Sequence, residues 1–159
     1  FEDNDERAIF FAKGVIETVK KLNWAPDIIH VHGWLASLLP LYLRNYYGNE
    51  PLFKTSKIVT SVYSKGFEDT LDEEMKKKVL FDGLEDDTVE HLNKPNYVNI
   101  MKTAIDNSDA IIQGSEEIPQ ELEEYINKLE KPTLSYKSKE EFGQAYQDFY
   151  TQEVLNEKE

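Results

Sequence analysis

The stretch that decides the fold is residues 24–36, WAPDIIHVHGWLA. Pro26 restricts the residue before it to extended backbone, so the helical segment that precedes it must end there. A short run rich in β-branched residues, Ile28 to His32, predicts a strand, and Gly33 closes it. From Trp34 to Tyr47 the chain is apolar on most sides, which predicts a buried helix. The stretch is therefore interpreted as the strand and the helix start of a βα unit.

The alternation of strand and helix continues on both sides of this stretch. Apolar spacing predicts helices over residues 5–21, 68–80, 97–107 and 119–129, and a last helix starting from a capping box of Ser138 and Glu141. Strands are predicted over residues 57–63, 109–113 and 132–136. Residues 82–96 are acidic and aperiodic, so we expect a surface loop there.

This order of elements defines a fold class. Strands that alternate with helices form βαβ units, and βαβ units build mostly parallel sheets with covered faces. We therefore expect an α/β, Rossmann-like domain with helices on both faces of its sheet. The length of 159 residues fits one such domain spanning 1–159, without a second domain.

Composition excludes several function classes. With 18 Lys and Arg against 31 Asp and Glu, the net charge of −13 would repel nucleic acid. The densest basic run, Lys76 to Lys78, follows acidic residues on one predicted helix, where we expect ion pairs within that helix. The chain has no cysteine, which excludes thiolate zinc sites and cysteine nucleophiles and fits a cytoplasmic location. No apolar run is long enough to span a membrane.

Candidate ligand-binding residues follow the predicted strands, because ligands of parallel sheets bind at the carboxyl ends of strands. The places selected by this rule are residues 30–34, 63–66 and 113–115, and Tyr136. The first is the most informative, because it holds two of the three histidines of the chain. His32, at the strand end beside a helix start, can reach a polar ligand there.

The histidine pair itself has two interpretations. His30 and His32 are two residues apart on a strand and so share one face, a spacing at which imidazoles can bind zinc. A zinc site needs a further ligand, and His91 lies far along the chain, so no metal is expected. The favoured interpretation makes His30 a buried, hydrogen-bonded core residue. No glycine-rich phosphate loop and no G-x-S-x-G motif is present.

Several motifs, taken in order, resemble those of bacterial glycogen synthases and plant starch synthases. Residues 24–36 resemble the W-x-P-D-(V/I)-(V/I)-H-x-H-(D/E/G)-W-x-(A/T) segment of that family. Residues 4–11 resemble its asparagine-aspartate-x-arginine-phenylalanine helix start, and residues 99–109 its N-x-x-K-x-G-I-x-x-A-D segment. Residues 57–64 take the place of a strand that normally ends in Val-His-Asn, and Ser115 falls on the serine of a Thr-Val-Ser turn. The resemblance extends to about residue 130.

This resemblance implies half of a GT-B glycosyltransferase, in which ADP-glucose and an α-1,4-glucan bind between two Rossmann-like domains. The chain is similar to the second half of the N-terminal domain. His32 would be the catalytic residue, in contact with the transferred glucose. The resemblance implies further substrate-binding residues, which are Gly33, Trp34, Tyr63, Ser64 and Ser115. Transfer in this family retains the anomeric configuration and needs no metal, so neither a metal nor another cofactor is expected.

The sequence also departs from the family pattern. It lacks a Lys-Thr-Gly-Gly loop and the donor-holding groups of a second domain, Tyr63 and Ser64 replace the histidine and asparagine, and Gly33 replaces an acid. We therefore expect a short or trimmed family member that does not transfer glucose by itself. One alternative is a non-catalytic relative that binds a glucan or a partner protein. Another is an unrelated sugar- or metal-dependent α/β enzyme built on the histidine pair.

Overall fold

The computed structural model describes residues 1–156. Within that range, four parallel strands form one sheet in chain order: β1 (Ile28–His32), β2 (Lys57–Val62), β3 (Ala110–Gln113) and β4 (Thr133–Leu134). The α-helices are α1 (Asn4–Lys21), α2 (Leu38–Leu41), α3 (Met75–Phe81), α4 (Tyr97–Asp106), α5 (Gln120–Lys128) and α6 (Phe142–Asp148). The predicted α/β, Rossmann-like fold with a parallel sheet is confirmed. No helix among the described residues is long and apolar enough to cross a membrane.

The two faces of the sheet are covered by different parts of the chain. Right-handed connections between consecutive neighbouring strands place their helices on one face. That face carries Val31, Ile58, Val62 and Ile111, and helices α1 to α5 pack on it. The opposite face carries Ile28, Val59, Ala110, Ile112 and Leu134, and it packs against α6 and the π-helical turn Phe149–Val154 that extends it. The last helical segment thus covers the face of the sheet that the connections between the strands leave open.

The register of the sheet decides which side chains reach the second face. His30 pairs with Val59 and His32 with Ser61 across β1 and β2. Since alternate residues of a strand share a face, His30, His32 and Ser61 all point toward the side covered by α6. Both histidines therefore lie on the face of the sheet that is covered by the last helical segment of the described chain.

The apolar stretch after β1 is less regular than the single helix that was predicted. It consists of a 3-10 turn at Trp34–Ala36, then α2, then a π-helical turn at Tyr42–Tyr46. Pro40 explains the irregularity, because it cannot donate the backbone hydrogen bond that would join the first turn to α2. The predicted burial is confirmed, since Leu38, Leu41 and Tyr42 have no exposed surface.

Two predicted segments between β2 and β3 take a different form. The helix predicted over residues 68–80 begins only at Met75. Residues 82–96, expected as a surface loop, contain 3-10 turns at Asp86–Asn93 that bury Val89 and Leu92. Two apolar side chains three residues apart suffice to anchor such a turn, but they are too few to give a helical periodicity in the sequence.

The ion pairs predicted between Lys76 to Lys78 and the preceding acidic residues form at Lys77, and at Lys78 they form together with longer-range pairs. Lys77 pairs with Glu74 at 2.7 Å. Lys78 pairs with Asp72 at 3.0 Å and also reaches Asp5 in α1, 73 positions away, at 2.7 Å. The reason is geometric: only Lys78 faces the N-terminal end of α1, where Asp5 is buried.

The predicted capping box at the last helix is also wrong. The hydroxyl of Ser138 donates to the carboxylate of Glu141 at 2.9 Å, and α6 begins one residue later, at Phe142. A capping box requires each side chain to accept a backbone N–H. Here the two side chains satisfy each other, and the carbonyl of Ser138 accepts the N–H of Phe142.

Candidate functional site

The carboxyl ends of β1, β2 and β3 bring the sequence-predicted polar residues together. His32 is the last residue of β1, and its Nδ1 lies 2.7 Å from the hydroxyl of Tyr63, just after β2. The backbone N–H of Ser64 donates to Oγ of Ser115 at 3.1 Å. Four of the six predicted site residues are therefore joined in two hydrogen-bonded pairs at one edge of the sheet.

Gly33 ends β1 for a reason that the structure makes explicit. Its φ is +71°, in the left-handed region that residues with a Cβ rarely adopt. No heavy atom outside its immediate chain neighbours lies within 4 Å of a Cβ built at this position, so conformation rather than crowding requires glycine. The turn exposes backbone next to His32, where a ligand can approach closely.

Trp34 has a different environment from the other predicted site residues. Its ring packs edge-on against Phe67, with 5.1 Å between centroids, and belongs to the apolar cluster around α4. It also lines an apolar groove beside α1 together with Phe11 and Leu35. The structure thus places Trp34 among apolar side chains of the face opposite to that of His32.

Tyr63 is held in place by Tyr97, which sequence reasoning missed, and by Gly114, which lies in the selected stretch 113–115. The hydroxyl of Tyr97 donates to the backbone carbonyl of Tyr63 at 2.7 Å. The Tyr63 ring lies directly on Gly114, where a Cβ would come within 2.5 Å of the ring carbon Cε1. A glycine immediately after a strand was the available signal for this contact, although it does not tell which side chain fills the space.

His30 lies beneath His32 and is hydrogen-bonded through both ring nitrogens. Its Nδ1 is 2.5 Å from the hydroxyl of Tyr150 and its Nε2 is 2.7 Å from Oγ of Ser61. The hydrogen bonding predicted for His30 is confirmed, whereas its side chain is half-buried and not buried. Tyr150 was not foreseen, because it lies 120 positions further along the chain.

The two histidines are neutral at physiological pH. Burial, and to a smaller extent the neighbouring His32, lowers the pKa of His30 to about 4. Partial burial also lowers the pKa of His32 below its usual value of 6.5. The ring centroids lie 3.9 Å apart, so a charge on one ring disfavours a charge on the other. The site therefore offers neutral imidazole and hydroxyl groups, which suit a ligand rich in hydroxyl groups.

The structure gives the histidine pair no geometry for a metal centre. Both nitrogens of His30 are engaged, and Nε2 of His91 lies 3.0 Å from Asp106, next to α5. Across residues 1–156, no group of three or more His, Cys, Asp or Glu side chains is arranged to hold a metal ion. The donors at the carboxyl edge are thus hydroxyls and a single available imidazole.

A parallel sheet that is covered by helices on both faces and gathers an imidazole and hydroxyl groups at the carboxyl ends of its strands defines a Rossmann-like domain. Residues 1–132 match the family model of the starch synthase catalytic domain, and the chain belongs to that family. The resemblance seen in the motifs up to about residue 130 is thereby confirmed.

Curated relatives agree with this assignment. A glycogen synthase of Thermotoga petrophila is 34% identical over 145 residues, which cover 89% of this chain and 29% of the relative. A glycogen synthase of Chlorobium luteolum is 36% identical over 121 residues, covering 70% of this chain and 22% of the relative. The chain thus spans less than a third of the length of these relatives.

A solved structure shows the same fold. The catalytic domain of starch synthase IV from Arabidopsis thaliana, bound to ADP and acarbose, superposes with a TM-score of 0.68 at 18% identity. The match covers 85% of this chain and 30% of that chain. At this identity, the likeness establishes the fold of the present chain.

Proposed function

We propose that the chain supplies the sugar-contacting half of a site that transfers glucose from a nucleotide sugar to an α-1,4-glucan, as in glycogen and starch synthases. The observation that carries the proposal is the position of His32. This residue stands in the motif-bearing segment of residues 24–36, at the carboxyl end of β1, with a neutral ring at the exposed edge of the sheet. The names of the relatives and the ADP and acarbose bound to the Arabidopsis enzyme support glucan synthesis with ADP-glucose as the donor.

The local groups suggest how this half-site acts. The ring of His32 meets a hydroxyl of the transferred glucose, and the left-handed turn at Gly33 lets the sugar approach the backbone. Ser64 and Ser115 add hydroxyl groups along the same edge. These groups orient a neutral sugar, which is a positioning contribution to transfer. A departing diphosphate needs cationic partners, and a chain of net charge −13 is a poor source of them.

We infer that the donor is held by elements outside these 159 residues. Helix α1 and the segment that follows it carry exposed apolar side chains, with Phe10 79% and Trp24 59% exposed. A groove of about 950 Å³, with Phe10, Phe11 and Trp34 in its lining, runs beside α1. Large exposed apolar areas of this kind mark surfaces that another element covers. The small share of the relatives that the chain spans supports the same inference.

The test compares glucose incorporation into glycogen from ADP-glucose and UDP-glucose. The 159-residue chain alone is expected to transfer no glucose, whereas the longest polypeptide encoded by its reading frame is expected to do so. In that polypeptide, His32→Ala is expected to lower kcat roughly 10- to 100-fold, the loss of one hydrogen bond made in the transition state. His91→Ala is the matched control, because His91 contacts Asp106 away from the carboxyl edge. Equal activity of both variants would remove His32 from the mechanism.

A second candidate function is glucan binding without transfer. It is favoured by Tyr63 and Ser64, which stand where the resembled family has histidine and asparagine, and by the occupation of His32 Nδ1 by the Tyr63 hydroxyl. Calorimetric titration with maltoheptaose separates the candidates: binding by the longest polypeptide without any transfer supports this second function. The cytoplasmic location expected from the composition remains a prediction.

A further inference from the structure

The side chain of Tyr63 has little freedom to move. Gly114 blocks one side of its ring, and the backbone N–H of Gly114 is itself fixed by the carbonyl of Val62 at 2.7 Å. The carbonyl of Tyr63 is held by Tyr97, whose ring occupies the space above Gly66, where a Cβ would come within 2.0 Å of it. The hydroxyl of Tyr63 is therefore presented to His32 by a rigid support.

The direction of the hydrogen bond between Tyr63 and His32 decides the tautomer of His32. This hydrogen bond is exposed, and within residues 1–156 it is the one that the Tyr63 hydroxyl makes, so the phenol O–H can donate to Nδ1 of His32. Neutral imidazole has one acceptor nitrogen and one donor nitrogen. If Tyr63 donates to Nδ1, the proton of the ring must lie on Nε2.

We propose that Tyr63 is a positioning residue that fixes His32 as the neutral tautomer with its proton on Nε2, directed toward the ligand side of the site. His32 then acts as a hydrogen-bond donor to an oxygen of the sugar rather than as a base. The identity of the ligand rests on the proposed function, whereas the tautomer of His32 does not depend on it.

The layer beneath His32 supports this arrangement. The ring of His30 lies 3.9 Å from that of His32 and is tilted by 34° to it. Tyr150 and Ser61 hold the two nitrogens of His30, so this ring cannot turn to offer His32 a different hydrogen bond.

Nitrogen-15 NMR of the imidazole rings tests the proposal directly on the 159-residue chain. The chain has three histidines, so the ring signals are few enough to assign. The expected result at pH 7.5 is an acceptor-type chemical shift for Nδ1 of His32 and a protonated-type shift for Nε2. A protonated Nδ1 in the unmodified chain overturns the proposal without any variant.

Two variants then separate positioning from general structural support. Tyr63→Phe removes the hydroxyl, and Gly114→Ala keeps it but displaces the ring through the new Cβ. Both are expected to shift His32 toward a mixture of the two tautomers. Tyr125→Phe is the matched control, because the Tyr125 hydroxyl lies 3.3 Å from Nε2 of His91 and should alter the His91 signals alone.

The outcomes do not depend on glucose transfer. Tyr63 has no positioning role if His32 keeps one tautomer, with unchanged nitrogen-15 chemical shifts, in both Tyr63→Phe and Gly114→Ala. The signals of His30 and His91 must in that case remain those of the folded chain. If transfer by the longer polypeptide is absent but the tautomer is as expected, the proposed function fails and the role of Tyr63 stands.

Discussion

The Nζ of Lys78 in α3 lies 2.7 Å from Oδ2 of Asp5 in α1, a residue with no exposed surface. Glu6 and Asp72 also approach the same ammonium, each at 3.0 Å. The hydrogen bonds that Lys78 donates to Asp5, then to Asp72 and Glu6, raise the pKa of Lys78. A single lysine thus ties the first helix to the segment between β2 and β3, and neutralises a carboxylate inside the protein.

Replacing Lys78 by methionine is expected to lower the free energy of unfolding by about 2–3 kcal/mol. The cost arises at Asp5, which would stay buried without its cation, and it falls below the full value for a buried pair because Lys78 is partly exposed. Urea unfolding followed by tryptophan fluorescence measures the change. Lys77→Met is the control, since the pair of Lys77 with Glu74 is exposed and its loss should be undetectable. Equal effects of the two substitutions would contradict the role of Asp5.

The stability of the chain is expected to fall between pH 6.5 and pH 4 because of His30. Its pKa of about 4 in the folded state lies below the value of 6.5 in the unfolded chain, so the unfolded state binds the proton first as the pH falls. The stabilisation is complete above pH 6.5 and is lost progressively toward pH 4. After a discount for partial exposure, the loss amounts to roughly 2–3 kcal/mol.

His30→Gln provides the comparison for this pH effect. Glutamine keeps hydrogen-bonding groups near Tyr150 and Ser61 but does not titrate. The difference between urea unfolding free energies at pH 7 and pH 4.5 should therefore be smaller in the variant. Carboxylates contribute to the acid response of both proteins and cancel in the comparison. An identical pH response in the two proteins would show that His30 is not its source.

Two glycines are expected to respond in opposite ways to alanine substitution. At Gly66 a Cβ would lie 2.0 Å from the ring of Tyr97, so Gly66→Ala should destabilise the chain by about 1–3 kcal/mol. At Gly14, inside α1, nothing lies within 4 Å of the new Cβ, so Gly14→Ala should stabilise it by about 0.5–1 kcal/mol. Thermal unfolding followed by circular dichroism measures both changes. A stabilising Gly66→Ala would disprove the contact with Tyr97.

Sequence reasoning succeeded where a feature depends on neighbouring residues. The strand Ile28–His32 is signalled by its β-branched run between Pro26 and Gly33, and its bounds agree with the structure. The rule that ligands of parallel sheets bind at the carboxyl ends of strands selected its last residues for a ligand site, which stays a prediction. The same rule correctly placed Tyr63, Ser64 and Ser115 at the same edge as His32. These expectations needed only periodicity and the geometry common to parallel sheets.

Sequence reasoning failed to predict which partner a polar side chain contacts. Lys78 carries three acidic neighbours in the structure, and only Asp72 is close to it in sequence. Similarly, Ser138 and Glu141 had the spacing of a capping box but satisfied each other instead of the helix end. Local spacing limits which groups can meet, but several partners remain equally compatible with it.

The sequence by itself determined the family, the parallel sheet and the place of His32 at the end of β1. The tertiary structure alone decided what surrounds that histidine. It brought Tyr150 from the far end of the chain to His30, and it set the Tyr63 ring on Gly114. The physical reason is that periodicity records which face of an element is buried, whereas a hydrogen-bond partner depends on the path of the whole chain.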